Sequence, residues 1–340
     1  MSTQVTLKEI ADALGVSAMT VSRAINNKPN VDEDTRGRVL EKARSMGYTP
    51  NHVAKSLVSK KTYTIGVVIP EISHAFFPEV VRGIEEVSYS SNYHLILTHS
   101  AEQFRREKDA IDTLRAKRVD GVLISSCQTL ENYSFYEQVI ESGTRIVFFD
   151  RCIEGIGASC VSVNDRESSK LITRHLIDHG YKKIAHLSGP TEVSIGKKRC
   201  RGYLEAMEEA GIRVDPRWIV ESGFQESGAR KAMTKLLQLP KAKRPRAVVA
   251  VNDPVAFGAM EAINERGLEI PGDIALVGFT DEVRSELVNP PLTTIHQPAY
   301  EVGKKGAEKL INTIEKEQEP VENIEVKTDL VIRESCGCEI

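Results

Sequence analysis

The fold of this chain is decided near its amino terminus by residues 5–27, which read VTLKEIADALGVSAMTVSRAINN. Apolar side chains recur there at spacings of three and four residues and predict one face of a short helix: Leu7, Ile10, Ala11 and Leu14. Gly15 can end this helix, and Ser17 can cap a second helix over 18–25. Two short helices joined by a tight turn are typical of a helix-turn-helix.

The second helix is weakly hydrophobic and polar on one side. Val21 and Ile25 are expected on its buried side, whereas its outward residues are polar: Thr20, Ser22, Arg23 and Asn26. Small side chains allow close approach to the major groove of DNA, where Arg and Asn can reach base edges. The alternative interpretation of these residues alone is an ordinary piece of helical core.

Residues 31–46 predict a third helix, with three acidic residues in the first turn, where negative charge is favourable. Its expected packing face is apolar: Val39, Leu40, Ala43 and Met46. Residues 51–61, NHVAKSLVSKK, are too few and too polar to form a stable helix alone in water. We therefore predict a small all-α head over 1–50 and a linker over 51–61 that becomes ordered on a partner.

Length and charge favour a head with a separate body. A chain of 340 residues exceeds one typical hydrophobic core, so two or three domains are expected. Residues 1–61 hold ten basic and six acidic side chains, a net charge of +4, while the whole chain carries −3 and the remainder therefore −7. A basic head suits contact with phosphate, although a solvated basic surface is the simpler alternative.

Membrane and metal functions find little support in the sequence. No apolar run approaches the roughly 20 residues of a membrane span, and the start of the chain lacks a signal-peptide pattern, so we expect a cytoplasmic protein. The six cysteines are scattered and mostly expected to be reduced: Cys127, Cys152, Cys160, Cys200, Cys336 and Cys338. The final pair could bind a metal or form a strained disulfide, but no Cys or His stands nearby in sequence, so no metal and no cofactor are expected.

Two further stretches carry a family resemblance. The run VTLKEIADALGVSAMTVSRAIN, followed by GYTPNHVAKSLVSKKTYTIGVVIP and later by GFTDEVRSELVNPPLTTIHQP, resembles the LacI/GalR family of bacterial transcription regulators. The resemblance covers essentially the whole chain. It implies that the second helix reads the major groove and that the linker folds into a hinge helix at the operator centre. The DNA-contacting positions that it implies are Thr6, Leu7, Ser17, Ala18, Met19, Thr20, Ser22, Arg23, Asn26, Thr35, Tyr48, Asn51, Ala54, Lys55 and Leu57.

Four of these positions carry particular expectations. Ala18 and Met19 match the pair that most varies operator choice in the family, and neither can form bidentate hydrogen bonds with a base. Arg23 is therefore the best candidate for a hydrogen bond to a base edge. Leu57 matches the leucine that enters the minor groove, where unstacking is offset by the contacts that bent DNA allows. Its alternative role is packing between domains.

From residue 62 onward, short apolar runs alternate with stretches of helical periodicity such as 77–90 and 105–117. The runs fall in two series: 65–69, 94–97, 121–124 and 146–149, then 184–187, 247–251 and 274–277. This alternation predicts an α/β body with two doubly wound parallel sheets. The resemblance makes them the hinged halves of a periplasmic-binding-protein-like domain over 62–340. The N-subdomain is then about 62–163 and 295–320, and the C-subdomain about 164–290 and 321–334.

Ligands of open α/β sheets bind beyond the carboxyl ends of the strands, so the cleft between the halves is the expected site. Aromatic rings with Asp, Asn and Arg suit a polyhydroxylated ligand. Positions that match the effector contacts of the family are Phe76, Phe77, Asp150, Val193, Ile195, Arg199, Phe224, Asn252 and Thr280. One of the first two could instead belong to the core, and Asp253 is expected to cap a helix over 254–265.

The sequence departs from the family pattern in two places. Thr280 stands where many members carry an aspartate, and Asp281 cannot be assumed to turn inward in its place. Val193 and Ile195 are apolar where relatives that bind purines or sugars often have polar groups. Both departures favour a ligand with an apolar flank or a different orientation in the cleft.

These observations predict a homodimeric regulator that binds operator DNA and responds to a small-molecule effector, with a sugar or sugar derivative expected. No GxGxxG, HExxH or GxSxG motif is present, so an enzyme is not expected. A solute-binding protein of a transporter would have a signal peptide and no helix-turn-helix. Control of the body by a protein partner remains an alternative. The residues after Leu330 are too few for a tetramer-forming coiled coil.

Overall fold

The computed structural model describes residues 5–49, 61–73, 75–127, 132–316 and 318–338. The chain divides into two units, Met1–Thr62, which contains the head, and Tyr63–Ile340, which is the body. Among the described residues, no helix is both long and apolar enough to cross a membrane.

The head is built from α1 (Leu7–Leu14), α2 (Ala18–Ile25) and α3 (Glu33–Ser45). The third helix begins two residues later than predicted because Asp32 caps it and accepts a hydrogen bond from the Thr35 amide at 2.8 Å. The core of the head takes apolar residues from all three helices: Ile10, Ala11, Val21, Ala24, Val39 and Ala43.

Two residues of the predicted packing faces lie elsewhere. Leu40 is 47% exposed, so its placement in the core was wrong. Ile25 is half-buried, whereas Ala24 is fully enclosed. Both differences arise because a short helix presents a narrow inner stripe, and the residues at its edges face solvent.

The N-subdomain contains six strands: β1 (Thr64–Ile69), β2 (His94–His99), β3 (Gly121–Ile124), β4 (Ile146–Phe149), β5 (Ser159–Val163) and β11 (Asn323–Val326). They form one parallel sheet in the order β11, β5, β4, β3, β1, β2. Its helices are α4 (Phe76–Ser90), α5 (Phe104–Ala116), α6 (Asn132–Glu141) and α12 (Ala299–Glu315).

The C-subdomain contains β6 (Ile184–Ser188), β7 (Ile219–Glu221), β8 (Ala247–Ala250) and β9 (Ala275–Val277). These strands form a second parallel sheet in the order β7, β6, β8, β9. Its helices are α7 (Asp165–Asp178), α8 (Ser194–Glu209), α9 (Glu226–Leu237), α10 (Asp253–Asn264) and α11 (Arg284–Leu287). Two parallel sheets with flanking helices confirm the predicted fold class.

The boundary expected near residue 320 was wrong. Strand β11 pairs with β5, with Asn323 opposite Cys160, so the segment assigned to the C-subdomain from 321 begins inside the first sheet. The chain leaves that sheet after Val326. Strand β11 has only two apolar residues, so a search for apolar runs does not detect it. It lies at the edge of the sheet and is held by pairing with β5 rather than by burial of apolar side chains. Strands β10 (Thr294–His296) and β12 (Asp329–Val331) form a separate antiparallel pair.

Candidate DNA-contacting face and effector cleft

Local hydrogen bonds set the geometry of the helix-turn-helix. Thr6 and Glu9 form a capping box in which the Thr6 amide donates to Glu9 Oε2 at 2.7 Å and the Glu9 amide donates to Thr6 Oγ1 at 3.3 Å. Gly15 ends α1 at φ = +66°, a left-handed conformation that glycine adopts without strain. Ser17 Oγ then accepts a hydrogen bond from the Thr20 amide at 3.0 Å and caps α2.

Helix α2 turns its predicted outer residues away from the head core. Ala18, Met19, Arg23 and Asn26 are exposed, and Met19 shows 63% of its surface although it is apolar. Val21 on the opposite side is fully buried. The Arg23 side chain forms no hydrogen bond or ion pair with any residue that the structure describes. An exposed face with one methionine and one unpaired arginine is available to a macromolecule.

Three polar side chains of this face already have local partners. The hydroxyls of Ser17 and Thr20 lie 2.8 Å apart. Asn26 Nδ2 donates to the Ser22 carbonyl at 2.8 Å, which leaves its Oδ1 as the free acceptor. These bonds hold the side chains in fixed rotamers, so little conformational entropy would be lost when they meet a partner.

The other predicted DNA contacts are distributed over the rest of the head. Thr6 is exposed at the start of α1, and Thr35 is half-buried in the first turn of α3. Leu7 and Tyr48 are half-buried and pack against the head core. The predicted hinge contacts lie outside the described residues: Asn51, Ala54, Lys55 and Leu57.

Arg36 has a role that sequence reasoning missed. Its Nη1 donates to Asn27 Oδ1 at 2.7 Å, and its Nη2 donates to the Lys28 carbonyl at 2.9 Å. Nη1 also lies 3.3 Å from the Ala24 carbonyl. Arg36, one of the ten basic residues of the head and linker, thus connects the carboxyl end of α2 to α3. No local sequence signal identifies this clamp, because its partners lie eight to twelve residues away.

In the body, the carboxyl ends of strands from both sheets meet around a cavity of about 40 Å³. Eight of the predicted effector residues line it: Phe76, Phe77, Asp150, Ile195, Arg199, Phe224, Asn252 and Thr280. Arg151, Pro254, Glu282 and Gln297 complete the lining and were not in the predicted set. Pockets for small ligands usually enclose about 300–1,000 Å³, so the cleft is nearly filled by its own side chains.

Arg199 is a buried charge of the cleft whose donors are met by groups of the body. Its Nε donates to Asp165 Oδ1 at 2.8 Å, its Nη1 donates to the Val251 carbonyl at 2.7 Å, and its guanidinium lies 3.6 Å from the centre of the Phe279 ring. Burial raises the pKa of Asp165, and Arg199 opposes that rise. The cost of burying an arginine is therefore offset by a partner 34 residues away, which the sequence did not reveal.

Gln297 connects Arg199 with Asp150. Its Nε2 donates to Asp150 Oδ1 at 3.0 Å, and its Oε1 lies 3.5 Å from Arg199 Nη2. Burial raises the pKa of Asp150 to about 6, against the opposing effect of Arg151 and Arg199. Asp150 also has φ = +58°, a strained conformation for a residue with a side chain and one that is common at functional sites.

Arg151 spans the cleft from the opposite side. Its two Nη atoms donate to the carboxylate of Glu102 at 2.7 and 2.9 Å, and its guanidinium lies 4.7 Å from the centre of the Phe224 ring. The Arg151 Nε is buried and has no hydrogen-bond partner among the described residues. The carboxylate oxygen that faces it is Asp150 Oδ2 at 3.9 Å, which is beyond hydrogen-bond distance.

The helix that follows β8 differs from the prediction. Asn252, not Asp253, is its cap: Asn252 Oδ1 accepts from the Val255 amide at 2.9 Å, and its Nδ2 donates to the Phe224 carbonyl at 3.1 Å. Asp253 is buried inside the first turn and accepts hydrogen bonds from the hydroxyls of Thr294 at 2.6 Å and Ser285 at 2.8 Å. The expected capping role of Asp253 was therefore wrong, because β10 and α11 each supply it with a buried donor.

Two other positions show how the cleft departs from the family pattern. Thr280 lines the cavity at φ = +137°. Asp281 turns away from it and accepts hydrogen bonds from Arg333 Nη2 at 2.7 Å and His296 Nδ1 at 3.1 Å. Val193 packs in an apolar cluster with Ile195 and Phe224 and is not among the residues that line this cavity, so its effector contact stays a prediction.

One pair of cysteines forms a disulfide that the sequence analysis did not predict. Cys152 and Cys160 form a disulfide with a Cα–Cα distance of 5.9 Å, and Cys160 lies on β5. The other four cysteines are free. Spacing in the sequence could not indicate this bond, which depends on the turn between β4 and β5.

The head and the cleft together define a class: a DNA-binding regulator with a ligand-binding body. Residues 6–51 match the model of bacterial regulatory proteins of the lacI family, and residues 173–336 match that of a periplasmic binding protein-like domain. The HTH-type transcriptional repressor PurR of Vibrio campbellii is 34% identical over 330 residues, which cover 96% of this chain and 97% of the relative. The chain belongs to the LacI family of bacterial transcriptional regulators.

Two further proteins are similar to this chain over nearly its whole length. Catabolite control protein A of Priestia megaterium is 34% identical over 314 residues, covering 92% of this chain and 93% of that protein. A solved structure of the transcriptional regulator CelR in complex with cellobiose is 28% identical, covers 98% of this chain and 100% of that chain, and has a TM-score of 0.74. The chain is thus, like these relatives, a regulator of transcription and not an enzyme.

Proposed function

We propose that the protein represses transcription as a homodimer in which the two α2 helices enter successive major grooves of a palindromic operator. One helix of eight residues covers only a half-site, so two-fold symmetry is needed for a complete operator. The observation that carries the proposal is the outward face of α2, where Arg23 has no partner among the described residues and Met19 is exposed.

The effector that best fits the cleft is a sugar or sugar derivative. Phe76, Phe77 and Phe224 offer aromatic faces. Asp150 offers an acceptor, and Arg151 offers a buried Nε that has no hydrogen-bond partner among the described residues. Rings cover the apolar face of a pyranose, and planar charged groups pair with adjacent hydroxyls. The cellobiose complex of CelR supports this class of ligand. Because the cavity holds only about 40 Å³, the two halves must separate to admit a sugar.

Operator selection with the full chain, followed by titration with sugars, tests the proposal. We expect Arg23→Ala to weaken binding to the selected duplex by about 5- to 150-fold, as the loss of one base contact does. Arg105→Ala removes an exposed arginine of the body and is the matched control. Equal affinities of the Arg23→Ala variant and the parent protein would contradict the assignment of α2.

The sugar titration uses cellobiose, ribose, glucose 6-phosphate and adenine as probes. A sugar that shifts the operator affinity of the parent protein and raises its melting temperature supports the cleft assignment. Control by a protein partner is the second candidate, because most charges of the cleft are already paired with one another. It predicts that no small molecule changes operator affinity while a cell extract does.

A further inference from the structure

The last turn of the described chain lies beside α7 and gathers three soft donor groups. Cys338 Sγ lies 3.2 Å from His175 Nε2, and all the potential ligand atoms of His175, Cys336 and Cys338 lie within 4.8 Å of one another. The sequence analysis predicted no metal at Cys336 and Cys338, because no further Cys or His stands near them in the sequence. The fold supplies the missing histidine from 163 positions earlier in the chain.

We propose that His175, Cys336 and Cys338 bind a thiophilic divalent cation of the zinc type. Zn–S bonds of about 2.3 Å and Zn–N bonds of about 2.0–2.1 Å place the donors of a tetrahedral site about 3.5–4 Å apart. The 3.2 Å contact between Cys338 Sγ and His175 Nε2 and the 4.8 Å upper limit on all the separations bracket that spacing. Two thiolates and one imidazole favour zinc over magnesium or calcium, and they neutralise its charge.

The fold holds these donors in place without the cation. Ser335 directly precedes Cys336 in the chain. Its Oγ donates to the Leu276 carbonyl at 2.6 Å and accepts from the Thr293 amide at 2.8 Å. Tyr181 Oη donates to the Cys336 carbonyl at 3.1 Å. Gly337 has φ = +77°, which turns the backbone so that the second thiol faces His175.

Burial divides the cluster into an inner and an outer part. Cys336 is completely buried and His175 nearly so, whereas Cys338 is half-buried. Three protein ligands leave the fourth position of a tetrahedral ion on the Cys338 side, where water can complete it. The cation would join the end of the chain to α7, whose first residue, Asp165, neutralises Arg199.

Cobalt and zinc titrations of the reduced full-length protein test the site. Free thiols are counted first, and bound metal is removed with a chelator. We expect one equivalent of Co²⁺ to give thiolate charge-transfer absorption with the bands of a tetrahedral ion, and Zn²⁺ to displace it. Cys338→Ser and His175→Gln should each weaken Zn²⁺ binding by about a hundredfold or more.

Cys200→Ser is the matched control, because Cys200 is a free, half-buried thiol outside the cluster. Zn²⁺ should raise the melting temperature of the parent protein and of this control, but not that of the two ligand variants, each of which is first shown to melt cooperatively. Equal zinc affinity in all four proteins would overturn the proposal. So would protein that binds no zinc after Cys336 and Cys338 have been reduced and counted as free thiols.

Discussion

Arg199 illustrates how single residues organise the cleft. Asp165 supplies its opposite charge, the Val251 carbonyl accepts one of its donors, and the Phe279 ring covers its face. Desolvation of a buried ion pair is costly, so such a pair stabilises a protein only when every donor and acceptor is satisfied. The pair therefore fixes the position of a charge at the cleft more than it adds to the stability of the body.

We expect Arg199→Met to lower the free energy of unfolding of the body by about 3–5 kcal/mol, because Asp165 is left as an unpaired buried carboxylate. Adding Asp165→Asn should recover most of this loss, since it removes the unpaired charge. Urea unfolding at neutral pH measures both effects. A loss below about 1 kcal/mol in the single variant would resemble the loss of an exposed pair and would contradict this role.

Asp150 gives a second prediction at the residue scale. Its pKa is raised to about 6 in the folded protein, chiefly by burial, so the folded state binds its proton more tightly than the unfolded state. The stability that this proton contributes is fully present below the unfolded pKa, near 4, and is lost as the pH rises through about 6. Asp150→Asn abolishes this dependence.

The measurement is urea unfolding of the Asp150→Asn variant and the parent at pH 4 and pH 7. The stability of the variant relative to the parent should be higher at pH 7 than at pH 4 by about 2–3 kcal/mol. Asp109→Asn, which removes an exposed carboxylate, controls for general charge effects. A relative stability that does not change with pH would show that Asp150 titrates normally.

At the scale of elements, the packing of α4 against α12 depends on close backbone contact. A Cβ added at Gly303 of α12 would lie 2.0 Å from the Val80 carbonyl oxygen, and one added at Gly83 of α4 would lie 2.1 Å from the Tyr300 carbonyl oxygen. The two glycines thus face each other's helix and let the axes approach. Larger residues at either position would push α12 away from the first sheet.

We expect Gly303→Ala to destabilise the body by about 2–4 kcal/mol, since the backbone oxygen of Val80 cannot move aside cheaply. Gly37→Ala is the contrasting variant, because nothing lies within 4 Å of a Cβ added there on α3. It should stabilise the head by about 0.5–1 kcal/mol through its higher helix propensity. Thermal unfolding with probes for each unit measures both, and a neutral Gly303→Ala would refute the close packing.

At the scale of the whole molecule, the head and the body have separate cores. An effector can change operator affinity only if it binds the DNA-competent and DNA-incompetent states of the dimer with different affinities. The cleft lies between the two subdomains, and Arg151 of the first packs there on the Phe224 ring of the second. A ligand that changed this contact would bind the two states with different affinities.

Removing residues 1–62 should abolish operator binding while leaving the cooperative unfolding of the body and its response to a bound sugar unchanged, because the body keeps its own core. Fluorescence anisotropy with a labelled operator and a thermal-shift assay measure the two properties. Operator affinity that survives the truncation would place DNA recognition in the body.

The sequence by itself determined the features that depend on neighbours along the chain. Periodicity and capping residues predicted α2 at its observed bounds, and the alternation of apolar runs with helices predicted two parallel sheets. Positions just after strands also predicted Phe76 and Phe224 at the cleft, while the family resemblance implied Arg199, which lies on α8. These features were predictable because a helix, a cap or a buried strand is specified by residues a few positions apart.

Only the tertiary structure decided which distant residues meet. In the tertiary structure, Asp165 pairs with Arg199 and Asp281 accepts a hydrogen bond from Arg333. Strand β11 pairs with β5 in the first sheet, where the sequence had not predicted it. His175 also lies against Cys338 there, and it adds a third donor to the two thiols of the proposed metal site. No local pattern records such pairs, because charges, thiols and edge strands choose partners by the three-dimensional packing of elements that lie far apart in the sequence.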